Sequence, residues 1–152
     1  MTVSALSAAR TLCELRGWQV SNLELQKILY LAHMFFLGEQ GEPLVHEDFQ
    51  AWEYGPVIPE VYQHAKGFGS GPVRNVFHWV PPVPEGSREY VALSEAAEGT
   101  KNMSSGRLVA ATHWKNGAWS EYYRSDHRGI VIPNSAILQE YKAREQAVSE
   151  KS

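Results

Sequence analysis

Side chains able to do chemistry are plentiful in this chain but scattered: six histidines and 17 acidic residues occur among 152. His46, Glu47 and Asp48 stand side by side, and His113, Asp126 and His127 offer further donors. A metal site needs its donors to converge, which adjacency along a loop does not achieve, and neither an HExxH helix nor a Cys-His spacing is present. A metal-dependent hydrolase using His46, Asp48, His113 or His127 is thus an alternative resting on residue type alone. Cys13 is the single cysteine, which excludes an internal disulfide and any multi-cysteine zinc site, and its place beside an alanine-rich helical stripe reads as a small buried hydrophobe. The glycine-rich GFGSG at 67–71 has bare N–H groups that suit an anion. It follows a helix C-terminus, however, where the dipole is negative, and phosphate sites precede an N-terminus. No nucleophile elbow, Walker loop or dinucleotide fingerprint occurs, so the expectation is no enzyme, no cofactor and no metal.

The elements that would position these residues are mostly helical. Hydrophobic content of 43% and charged content of 20% are those of a globular chain, and the length suits one domain with its own core. The expected fold is mainly α with a small β element (α+β), a single domain over residues 1–148 with a frayed tail at 149–152. A net charge of −3 and a pI near 6.1 argue against a general nucleic-acid or anionic-membrane binder. A local group of Arg107, Lys115, Arg124 and Arg128 is the only basis for nucleic-acid binding. The N-terminus reads as amphipathic helix rather than leader, and no run reaches the roughly 18 apolar residues of a membrane span. A cytoplasmic protein is expected.

A first helix spans 4–16, with Ser4 as cap and Gly17 as stop. The second is strongly signalled: Ser21 and Glu24 form a capping box, Val20 and Leu25 a hydrophobic staple, and Gly38 is the expected stop. Leu25, Ile28, Leu29, Ala32 and Phe36 make its core face, yet Leu23, Tyr30, Leu31, Met34 and Leu37 make the back apolar too, with Gln26, Lys27 and His33 as scattered polar positions. A helix apolar nearly all round is central in its domain or covered by a partner. After it, residues 48–53 alternate as a short strand that Gly55-Pro56 ends, and Pro59 opens a third helix to Lys66. The stretch AWEYGPVIPEVY is therefore a rigid aromatic strand-to-helix joint. Residues 67–86 read as loop with one weak strand at 76–80. Helices are expected at 93–103, after Ser105, at 119–123 and at 135–146, with a strand at 130–132.

The segments LQKILYLAH (25–33), AWEYGPVIPEVY (51–62), ATHWKNGAW (111–119) and IVIPNSAILQEY (130–141) together resemble the Panacea domain, the SocA-like antitoxin family. The resemblance runs from the first helix to Tyr141, and the second block, following the first, is its most specific part. It implies a mainly helical bacterial or phage protein that binds and neutralises a cognate toxin protein. In one branch the implied route is an adaptor that hands the toxin to the ATP-dependent protease ClpXP, and in other members the toxin is simply occluded. The implied partner-binding positions are Lys27, Tyr30, Trp52, Tyr54, Pro56, Val57, Tyr62, His113 and Trp119. Rigid aromatics serve packing and interfaces alike, so residue type alone leaves the joint open to either role.

Overall fold

The computed structural model describes residues 2–151. Ser4 accepts the Ser7 amide and starts α1 (Ala5–Leu15), which buries Ala5, Ala8, Ala9, Leu12 and Cys13. α2 (Asn22–Gln40) carries both halves of its capping box: the Ser21 hydroxyl accepts from the Glu24 amide, and the Glu24 carboxylate accepts from the Ser21 amide. It ends at Gly41, in the left-handed region at φ 74°, and not at Gly38 as expected. Gly38 lies inside the helix, where a Cβ would stand 2.2 Å from Cδ2 of Tyr141. The missing side chain lets the last helix pass against this one.

The chain then forms a tight hairpin. β1 (Phe49–Trp52) pairs antiparallel with β2 (Gly55–Val57), Trp52 opposite Gly55, so Gly55-Pro56 does not end the strand but begins its return. α3 (Pro59–Ala65) follows, with Pro59 in its first turn, and runs into a 3₁₀ turn at Lys66–Phe68. Residues 76–80 are not a strand. Their amides turn to local acceptors, Val76 to Arg74 O, Phe77 to Asn75 Oδ1 and Val80 to Phe77 O, while buried Phe77 and Val83 pin the loop. α4 (Arg88–Thr100) starts earlier than expected, capped by Ser87, and α5 (Ser105–Thr112) is capped by Ser104 rather than Ser105. α6 (Ala118–Tyr122), β3 (Ile130–Ile132) and α7 (Asn134–Lys151) complete the chain. Residues 149–151 of the expected tail are the end of α7, and Ser152 lies outside the described residues.

The protein is mainly α with a small antiparallel sheet, in the order β2-β1-β3. Its axis is α2, against which α1, α3, α4, α5, α7 and β2 all pack. That explains the two-sided apolar character of α2: Leu25, Ile28, Leu29, Ala32 and Phe36 are buried on one side, and Tyr30, Leu31, Met34 and Leu37 on the other. Among the described residues no helix is long and apolar enough to cross a membrane.

Candidate functional site

The polar residues of α2 are not on its outside. Gln26, Lys27 and His33 are all buried, and each holds a backbone group of a distant segment. The Gln26 side-chain carbonyl accepts the Ile58 amide at 2.8 Å, and its amide nitrogen reaches back to Ile58 O. The Lys27 ammonium donates to Pro56 O at 2.9 Å. His33 Nδ1 accepts from the Val45 amide, which leaves Nε2 as the protonated nitrogen that donates to Asn134 Oδ1 at 2.9 Å. A buried carbonyl or amide without a partner is costly, so these side chains make the hairpin-to-α3 joint and the backbone at Val45 compatible with a dry interior.

Lys27 is also closely packed. Gly55, at φ 119°, lies so close that a Cβ on it would stand 2.9 Å from Lys27 Cε and 3.2 Å from Thr112 Oγ1. Glycine is required there by backbone conformation and by space together. Burial lowers the Lys27 pKa from 10.5 to about 7.

Beside this joint stands a column of rings. His113 stacks on Trp119 with centroids 3.7 Å apart, and Trp119 stacks on Tyr123 at 4.8 Å. The Trp119 indole donates to Trp52 O at 2.6 Å and so ties the column to the end of β1. His113 Nε2 is buried and has no hydrogen-bond partner among the described residues. Burial lowers the His113 pKa, the Lys27 charge adds to that, and the Tyr54 backbone opposes both.

Trp52 lies on the outer face of β1, since the burial alternation puts Phe49 and Ala51 in the core. Its ring meets Tyr62 of α3 edge-on at 4.8 Å, and its indole donates to Gln50. Tyr54 stands at the hairpin turn, 64% exposed.

These elements enclose an open cleft of about 670 Å³. Of the positions expected to bind a partner, Lys27, Trp52, Tyr54, Val57 and Tyr62 line it together. Pro56, His113 and Trp119 sit behind that lining, as the acceptor of Lys27 and the support of the hairpin. Tyr30 is fully buried elsewhere on α2, its hydroxyl 2.6 Å from Glu140. Sequence reasoning missed Leu23, Lys66 and Tyr123 as lining residues, and it noted Arg124 and Arg128 only as members of a dispersed basic group. Among the described residues no three His, Cys, Asp or Glu side chains come together to hold a metal ion. His46, Asp48 and His127 are exposed, and Glu47 accepts the Ala5 amide at 2.8 Å.

The chain matches the family model described as antitoxin SocA-like, Panacea domain, over residues 25–120. It is also 34% identical over 109 residues to "Antitoxin SocA" of Caulobacter vibrioides (strain NA1000 / CB15N), an alignment that takes in 66% of this chain and 58% of that protein. No solved structure matches it. The match covers α2, the aromatic hairpin, α3 and the His113–Trp119 column, and on that span the chain belongs to the SocA-like antitoxin family with a Panacea domain.

Proposed function

We propose that this protein is the antitoxin of a bacterial toxin-antitoxin pair, which binds and neutralises a cognate protein toxin without catalysing a reaction. Membership of the SocA-like antitoxin family is the observation that carries this reading. The meeting of Trp52, Tyr54 and Tyr62 at one cleft supports it, because exposed or half-buried rigid aromatics on a firm backbone make good protein-binding anchors. In this reading Lys27, Pro56, His113 and Trp119 hold the binding face in shape, and Tyr30 steadies the helix behind it.

The test is co-expression with the product of the adjacent gene. That product should arrest growth alone and be harmless beside this protein. A harmless gene product, or one that stays lethal, defeats the reading. The finer form of the proposal is an adaptor that delivers the toxin to ClpXP. Toxin half-life should then fall when this protein is present and recover when the protease is deleted. An unchanged half-life with intact neutralisation assigns occlusion instead.

A further inference from the structure

The charge of the cleft runs against that of the whole chain. The protein carries a net charge of −3, yet the cleft is lined by Lys27, Lys66, Arg124 and Arg128 with Glu53 as its one carboxylate. Lys66 and Arg128 are exposed and make no ion pair or side-chain hydrogen bond among the described residues. The Arg124 guanidinium is fixed on backbone carbonyls, Tyr123 O at 2.7 Å and Glu121 O at 3.1 Å, and among the described residues no carboxylate pairs with it. Asp126, the nearest acid in sequence, pairs with His127 at 3.3 Å. Lys27 beneath the floor has one acceptor, Pro56 O, for three N–H groups. Segments far apart in sequence thus bring Lys66, Arg124 and Arg128, with Lys27 buried beneath them, to one concave, aromatic-floored place.

We propose that this cleft receives an acidic segment of the partner protein, its carboxylates on Lys66, Arg124 and Arg128 and its apolar atoms on Trp52, Tyr54 and Tyr62. The inference rests on the antitoxin reading for the partner's identity and on charge complementarity for its chemistry. A polypeptide fits better than a small anion, because the cationic side chains stand at an exposed rim, whereas small-ligand sites enclose most of their ligand. Nucleic acid fits less well, since its affinity comes from cations spread along many phosphates and here they are confined to one cleft of an acidic protein.

The experiment needs no toxin, so its outcome is separable from that of the neutralisation test. An acetylated peptide of alternating Glu and Leu is titrated into the full chain, and tryptophan fluorescence, to which Trp52 at the cleft wall contributes among five tryptophans, reads binding. A saturable change is expected, weakened by at least about tenfold in a Lys66→Glu/Arg128→Glu variant and by high salt. Thermal melting checks that the variant is folded, and Lys66→Gln/Arg128→Gln replaces it if the reversal unfolds the chain. No saturable change, an equal response to a Lys-Leu peptide, or unchanged affinity in the folded variant overturns the proposal. So does saturation by ATP with none by the acidic peptide, which makes the cleft a small-anion site.

Discussion

Two buried ionisable side chains, Glu140 packed against α2 and Lys27 on α2 itself, are treated differently. Glu140 of α7, 1% exposed, is surrounded by donors: Tyr30 OH at 2.6 Å, the Ala118 amide at 3.0 Å and Arg144 Nε at 2.8 Å. Arg144 in turn donates to Ala111 O and lies over the Trp114 ring. That network closes on itself and joins α2, the α5–α6 connection and α7. Lys27, one turn before Tyr30 on the same helix, has a single carbonyl, and burial depresses its pKa to about 7. A buried ion with a full set of partners behaves as part of the frame, while one with a single partner lowers stability and leaves donors undirected. The contrast separates a buried carboxylate with a full set of donors from a buried lysine beside the cleft whose charge burial disfavours.

The largest effect should come from breaking the closed network. Glu140→Ala leaves Tyr30, the Ala118 amide and Arg144 without their shared acceptor, and breaking a buried pair in this way costs roughly 3 to 5 kcal/mol. Urea denaturation at neutral pH measures it. A loss below about 1 kcal/mol, typical of exposed pairs, would erase the distinction between the two charges.

Lys27 should show itself through pH. Its folded pKa lies below its unfolded value of 10.5, so its contribution to stability is fully present above 10.5 and is lost as pH falls towards about 7. The slope approaches about 1.4 kcal/mol per pH unit, which gives roughly 1 to 2 kcal/mol between pH 7 and 8.5. That window lies below the ordinary cysteine value of 9.0, above which the Cys13 thiol, raised by burial to about 12, acts with the opposite sign. Lys27→Met has no ammonium to titrate, so the stability difference between the two proteins should change by that amount across the window. Parallel curves would show that Lys27 keeps an ordinary pKa.

Local chemistry was legible in the sequence and distant contact was not. The Ser21–Glu24 capping box and Pro59 at the start of α3 act within a few residues, and the side chains that announce them are adjacent to what they do. Gly38 was read as a stop because glycine usually ends helices, but its role is set by Tyr141, a contact that no local pattern encodes. β2 was missed for the same reason: Gly55-Pro56 breaks structure locally, whereas its pairing with β1 and its closeness to Lys27 depend on the tertiary fold. Gln26, Lys27 and His33 look like polar interruptions on α2, since the backbone groups that justify their burial lie at 58, 56 and 45, and the side chain that completes the His33 bonding lies at 134. The cleft was half visible. Its aromatic wall is one continuous motif, while its cations come from 27, 66 and 124–128 and meet only in three dimensions.

The smallest effect on folding should belong to the residue that matters most for the proposed interface. Tyr54 is 64% exposed at the hairpin turn, unlike Trp52, whose ring is packed on Tyr62 and whose carbonyl holds Trp119. Removing the Tyr54 ring opens no cavity and strands no buried polar group, so Tyr54→Ala should change stability by no more than about 0.5 kcal/mol. If the turn is a binding anchor, the same substitution weakens toxin affinity by roughly 2 kcal/mol or more, as hot-spot aromatics do. Denaturation and calorimetric titration on the one variant read both quantities. The pairing matters because each alone is ambiguous: lost binding with lost stability makes the hairpin part of the frame, like Glu140, and a stable protein with unchanged affinity removes Tyr54 from the interface. Only a stable protein with weakened binding separates the turn from the frame to which Glu140 belongs.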